Sequence, residues 1–500
     1  MHLLTRKRPI DAISRVLMAT AALAVGLLTS AAQGQYERWY KIEFGGAHAG
    51  WMHTTEARGA QGIVTSSSML VKVRRDQDEV SIKYTIEFVE TPEGKPVSMK
   101  NIAQLGQSPE ETTTTFAVDH AEVKRKTPQG EAVTREALPE GKWLTPASAD
   151  EYVKRRLLAG AAEITVRGID PTTGLTPVAI TRAVAGKEKR TVLGREVELY
   201  KCTTTQDFGL AKIVMTEYLD ENGRPVLLEM PFMDGQMRFE VSTREVATAS
   251  FRAPELLVDT FVKPDRAVTN SRLTTNATYL LTFDSDAPDL PVTAAQSVER
   301  IDARTLRVTV DTSGASPDAA ADAKAWLGST ALIDKDNELV TRLVEQALRS
   351  AGPSKPARAE LLRRAVRRHI TDKSLGVLFA SASEVARTKR GDCSEHAVLL
   401  AAMLRSDGIP ARVASGLIYA DSFAGSKDVF AYHMWTQALV DDGEGPYWRD
   451  LDATLPDRVT LDATHIALLL TGLPDTEGMS SMAQLLNVLG RVEIKVESYR

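Results

Sequence analysis

Cysteine is nearly missing from this 500-residue chain: Cys202 and Cys393 are the whole supply. A fold stapled by several disulfides is therefore excluded, and two cysteines without CxxC spacing do not make a zinc finger or ribbon. Aromatic residues are sparse at 6%, and the formal net charge of -5 is small for this length, so nothing calls for a nucleic-acid partner. Beyond the N-terminal segment no apolar run approaches the roughly 20 residues that a membrane-spanning helix needs. Calcium loops, phosphate loops and dinucleotide fingerprints are absent. His48, His53, His120, His369 and His465 lack the partner spacing of metal sites, so no metal or cofactor is expected.

What is present has the composition of a globular protein, 43% apolar and 25% charged. Domains commonly run about 100 to 200 residues, so two or three are expected. Residues 1–34 read as an export signal: Arg6, Lys7, Arg8 and Arg15 precede an apolar stretch from Val16 to Leu28, and the small-residue site Ala32-Gln33-Gly34 follows. Cleavage there would leave Gln35 first. A mature protein in the periplasm or outside the cell follows, with no integral membrane segment; no cysteine stands behind the apolar stretch to accept lipid.

Residues 35–250 are expected to form a β-rich N-terminal domain. Runs such as 80–89, 212–219 and 237–243 alternate Val, Ile and Phe with polar residues, and turn signals such as Glu221-Asn-Gly223 separate them. That period of two means antiparallel sheet with one face buried. One helix is expected to interrupt it, beginning near Ser148. Cys202 lies in a strand-like run and reads as a small buried hydrophobe rather than one end of a bridge. Residues 251–330 form a connecting region with strands at 278–283 and 305–310, closed by a soft linker at 313–322. From 331 to 500 the texture turns α+β. Asp336 is expected to cap a helix with a stripe of Leu339, Leu343, Val344 and Leu348, and Leu361, Leu362, Ala365 and Val366 mark a second.

The densest information lies between Arg390 and Leu417. Asp392 and Glu395 stand three apart, as a capping box does, which starts a helix and sets Cys393 in its first turn. The positive end of the helix dipole favours thiolate there. Ala397, Leu400, Ala401 and Leu404 supply a buried stripe, Gly408 stops the helix, and a strand from Ala411 to Tyr419 leaves it. A hairpin follows. If its turn centres between Asp442 and Gly443, His433 faces Asp452; a register shifted by two would face it with Asp450 instead. An imidazole beside a carboxylate is what thiol chemistry asks for, since the ring takes the sulfur's proton and the acid fixes the tautomer. His396 reads as a packing residue, and Arg405 and Arg412 as surface or salt-bridge residues ahead of ligands for a substrate carboxylate.

Taken together, Gly391-Asp392-Cys393, Gly408-Ile-Pro-Ala-Arg412, Gly416, His433-Met-Trp435 and Trp448-Arg-Asp-Leu-Asp452-Ala-Thr454 resemble the transglutaminase-like superfamily, whose core is similar to papain-type cysteine proteases. The resemblance spans roughly a quarter of the chain. It implies Cys393 as nucleophile, His433 as base and Asp452 as orienter, with Trp435 and Thr454 structural. Where the family usually shows Asp-Pro-Thr, this chain has Asp452-Ala453-Thr454. The implied activity is attack on a peptide or protein amide through a thioester, with hydrolysis favoured over transamidation. The alternative is an idle scaffold whose β-region binds protein, glycan or lipid.

Overall fold

Alternating apolar side chains build a fourteen-stranded antiparallel sheet from the N-terminal half of the chain. The computed structural model describes residues 35–500, apart from 61, 105–108, 128–129, 170, 173, 209–211, 233–234, 256, 314–322, 377–379, 444 and 474–490. The expected export signal and nearly all of the expected linker lie outside the described residues. Eight strands, from Gln35–Phe44 to Gly130–Ala137, form one meander, and six, from Glu163–Ile169 to Gly235–Ser242, form another. The two join where Gln35–Phe44 pairs with Gly235–Ser242, Tyr40 opposite Val241. Ile42, Val71, Val73 and Val80 make one buried patch along a face. The expected helix is Pro146–Leu158, starting two residues earlier than predicted because Thr145 is its cap and Pro146 suits its first turn. The Glu90 carboxylate accepts from Ala147 N–H at 3.0 Å and from the Thr145 hydroxyl at 2.8 Å, which satisfies that helix start. Cys202 is fully buried beside Val153, Leu157 and Leu219, and its thiol is free.

Two four-stranded sheets follow, and with the helices they make the second half of the chain α+β. In the first, Asn276–Phe283 lies between Thr305–Asp311 and the C-terminal strand Val492–Tyr499. In the second, Ser426–Asp441 and Ala411–Phe423 are central, flanked by Pro446–Leu451 and Ile466–Thr471. Tyr279, Leu281 and Val308 pack with Tyr419, Phe430 and Ile466, so the two sheets share a core. On the other side the second sheet carries the helices Glu338–Leu348, Lys355–His369, Ala382–Thr388 and Cys393–Ser406, through Met434, Ala438 and Val440. Its strands are covered on both faces, which is why Ala411–Tyr419 is buried residue after residue.

Three local expectations are corrected. Asn337, not Asp336, caps Glu338–Leu348, and the buried stripe is Val340, Val344 and Leu348, with Leu339 turned outward. On Lys355–His369 the buried set is Ala359, Leu362, Arg363 and Val366, while Leu361 is exposed. The helix Cys393–Ser406 has no single stripe, because every residue from Ser394 to Arg405 is buried among helices and sheet. Among the described residues no helix is long and apolar enough to cross a membrane.

Candidate active site

Cys393 is the first residue of the helix Cys393–Ser406, and the local sequence explains why that helix begins there. Asp392 Oδ1 accepts from Ser394 N–H at 2.9 Å, and Glu395 Oε2 accepts from Asp392 N–H at 2.9 Å, completing the capping box. Gly391 precedes it at φ +155°, where a Cβ would sit 2.2 Å from Glu395 Cβ, so no larger residue fits. Glu395 is wholly buried, and burial together with the Asp392 carboxylate raises its pKa to about 8. Burial also opposes charge on Asp392, but Arg75 and the Ser394 N–H outweigh it and hold this carboxyl below its ordinary range.

These acids change the expected electrostatics of the thiol. The helix start favours thiolate, yet burial first, and the Asp392 and Glu395 carboxyls after it, push the Cys393 thiol well above its ordinary value. These surroundings oppose the thiolate that the helix start favours. The Met434 N–H of the strand Ser426–Asp441 hydrogen-bonds the sulfur and works the other way, favouring the thiolate.

His433 and Asp452 are brought together: His433 Nε2 lies 2.8 Å from Asp452 Oδ2, with both residues buried. The register behind this contact is not the expected one. Asp441 pairs with Pro446 and Gln437 with Asp450, so the hairpin turn is wider and centres one residue later. Asp441 Oδ1 accepts from Gly443 N–H at 2.8 Å and Gly445 N–H at 3.2 Å, and this wider turn shifts the register by two, in the opposite direction from the alternative considered. Asp452 still reaches His433 because the strand ends at Leu451. There the chain bends so that Asp452 Oδ1 accepts from the Thr454 N–H and hydroxyl, both at 2.7 Å, leaving Oδ2 for the imidazole. Asp450 instead accepts from Trp435 Nε1 at 2.7 Å and Gln437 Nε2 at 2.8 Å.

Sequence spacing missed a second imidazole. His465 Nε2 lies 3.2 Å from the same Asp452 Oδ2, and its Nδ1 lies 3.0 Å from the Asp462 carbonyl. Burial disfavours charge on this ring, but Asp462 and Asp452 overcome that and raise its pKa to about 10. Asp452 itself is held well below the carboxylate range: burial resists, and His433 and His465 prevail. A sequence signal existed. Leu451-Asp-Ala-Thr454 recurs as Leu461-Asp-Ala-Thr464, and both Asp residues accept from the N–H and hydroxyl of the Thr two places on. Arg363 was missed too. Fully buried, it donates to the carbonyls of Asp452, Leu455 and Asp457 and so fixes the segment that carries the acid.

The remaining candidates are structural. His396 Nδ1–H donates to the Asp392 carbonyl, and burial lowers its pKa to about 4, leaving the ring neutral. Arg405 and Arg412 are buried rather than superficial, which corrects the expectation. Arg405 donates to the carbonyls of Ala411, Gly328 and Gly472, while Arg412 donates to Gln437 Oε1 and lies 4.0 Å above the Trp448 ring. His433, Asp452 and His465 place three ligand-type atoms within 4.8 Å of one another.

Residues 342–453 match the model of the transglutaminase-like superfamily. This region is a transglutaminase-like core. None of the curated proteins matches the chain. Among the solved structures that resemble parts of it are three of low identity. A β-barrel-like protein of a domain of unknown function from Brucella abortus is 15% identical, covers 41% of this chain and 95% of its own, and has a TM-score of 0.31. A candidate cysteine protease from Cytophaga hutchinsonii is 13% identical over 45% of this chain and 84% of its own, with a TM-score of 0.28. The periplasmic domain of TgpA from Pseudomonas aeruginosa, bound to ethylmercury, is 15% identical over 40% and 92%, with a TM-score of 0.25. Scores this low carry no functional weight.

Proposed function

We propose that the transglutaminase-like core is a cysteine-dependent enzyme acting on amide bonds of peptides or proteins, with Cys393 as nucleophile, His433 as base and Asp452 as orienter. The observation that carries this reading is the buried His433–Asp452 hydrogen bond of 2.8 Å on the strand that also donates Met434 N–H to the Cys393 sulfur. With Nε2 engaged by Asp452, Nδ1 of His433 is the nitrogen that receives the thiol proton. With burial and the two carboxyls disfavouring a resting thiolate, attack and proton transfer are coupled in this reading. The sulfur bonds to the amide carbon, the proton passes to His433, and the oxyanion is met by the Cys393 N–H at the helix start. The C–N bond then breaks as His433 returns the proton to the leaving nitrogen, giving a thioester. Water adds to that thioester, yields its proton to His433, and the C–S bond breaks to restore the thiol and release an acid.

Hydrolysis is the preferred outcome, on a protein or peptide substrate and in an exported, mature chain beginning at Gln35. The working division is an enzyme region from 331 and a β-rich region before 250. A second reading, a binding role for the β-region, draws support from a polar cleft lined by Tyr36, Arg38, Glu56, Asp150, Lys154 and Arg224. The two separate in one assay: mass spectrometry of a casein-type acceptor after incubation with a small labelled amine and either wild type or Cys393→Ala. New termini or deamidated glutamine without amine are expected from wild type alone. Amine incorporation would make the enzyme a transamidase, and identical products from the mutant would leave the binding reading.

A further inference from the structure

The electrostatics around Cys393 are completed from outside its own region. Its helix start presents Asp392 and Glu395 to the sulfur, with His396 one turn behind; the strand Ser426–Asp441 presents Tyr432 and the Met434 N–H. The neighbouring loop brings Lys373, which acts on His396 and Asp452. The cation beside the nucleophile comes from the N-terminal sheet. Arg75, at the end of strand Gly62–Arg75, places a guanidinium nitrogen 2.7 Å from Asp392 Oδ2.

We propose that Arg75 is a positioning residue of the Cys393 site, and that the hairpin formed by Gly62–Arg75 and Asp78–Glu90 is a working part of the active centre. This rests on Cys393 being the nucleophile. The hairpin tip is built to stay in place. Its two-residue turn, Asp76–Gln77, uses Asp76 at φ 59°, a conformation Asp tolerates. Arg75 donates to the Leu375 carbonyl at 3.1 Å, and Asp78 accepts from the Ser374 hydroxyl at 2.9 Å. Arg74 N–H donates to the Pro254 carbonyl at 2.7 Å, and the Arg74 side chain pairs with Glu255 at 3.2 Å. Ser374 in turn accepts from Arg390, and Gly391 N–H donates to the Asp372 carbonyl, so the tip grips the loop that pairs with the residues just before Cys393.

The charge has a chemical task. As the sulfur loses its proton, Asp392 and, above about pH 8, Glu395 lie beside the forming anion, and Arg75 offsets them. The guanidinium is only 19% exposed, so salt screens it little. Arginine fits where lysine would not fully, because its planar fork reaches the Leu375 carbonyl and Asp392 together.

The test is the rate of iodoacetamide alkylation of Cys393 in the full-length mature protein from about pH 6 to 10, read by peptide mapping with buried Cys202 as internal reference. Arg75→Gln should move the profile to higher pH and slow alkylation about 3- to 10-fold at pH 8, since an adjacent opposite charge shifts a pKa by roughly one unit or more and lost thiolate is partly offset by higher nucleophilicity. Arg75→Lys should recover most of the rate, and Lys189→Gln, which removes an exposed cation elsewhere in the same sheet, should superpose on wild type. A superposable or acid-shifted Arg75→Gln profile overturns the proposal, as does an Arg75→Lys profile as slow as Arg75→Gln. If wild-type Cys393 reacted no faster than Cys202, the nucleophile reading itself would fall.

Discussion

Asp452 collects four donors on two oxygens: the Thr454 N–H and hydroxyl on Oδ1, and the rings of His433 and His465 on Oδ2. Asp450, two residues earlier, serves only Trp435 and Gln437. Asp452→Asn should therefore lower kcat by roughly a thousandfold or more, because the amide misassigns the His433 tautomer. Asp450→Asn should cost less than about tenfold, and steady-state kinetics of the pair showing the reverse order would reassign the acid. His465 acts through Asp452, so His465→Gln should lower kcat by about tenfold while leaving KM nearly unchanged. The folded protein keeps a proton on His465 up to about pH 10, whereas the unfolded chain releases it near the ordinary histidine value of 6.5. Its contribution to stability is therefore complete below about pH 6.5 and fades as pH rises toward 10. The difference in Tm between wild type and His465→Gln should be larger at pH 6 than at pH 9.5; a difference that widened toward alkaline pH would contradict the assignment.

At the scale of elements, the start of the helix Cys393–Ser406 was readable because its cap is local: Asp392 and Glu395 announce it three residues apart. The consequence for the thiol was not, because the same two carboxyls that cap the helix also oppose the thiolate once burial removes water. Gly391 is the point where the cap meets Cys393. Gly391→Ala would drive a methyl group into Glu395 and should cost about 2 kcal/mol or more of stability, read as a lower urea midpoint with unchanged m. An unaltered midpoint would mean that the cap has room to move. The hairpin shows the opposite balance. Both strands were plain in sequence, but the register hung on the Asp441–Pro446 turn, whose Asp441 cap no alternation of apolar residues could disclose. The His433–Asp452 contact was anticipated from a register that the structure does not adopt, and it forms because the chain leaves the strand after Leu451.

For the whole molecule, the division into alternating strands before about residue 250 and mixed α+β texture after 330 reflects how many faces each sheet covers. The N-terminal sheet leaves polar residues between buried ones, so Val80 and Phe88 stand out; the strands around His433 are covered on both sides and lose that alternation. Long-range closures were invisible in a linear reading. The pairing of Val492–Tyr499 with Asn276–Phe283 and the ion pair of Arg75 with Asp392 each join segments with no local signature of their meeting. The central claim is that these closures assemble a thioester-forming site at Cys393. Its most direct test is to acid-quench the protein during turnover of a glutamine-containing peptide and map any adduct by mass spectrometry. The account predicts a hydroxylamine-labile acyl group on Cys393, absent from Cys202 and from Cys393→Ala; turnover that persists in Cys393→Ala with no acyl group on Cys393 would contradict it.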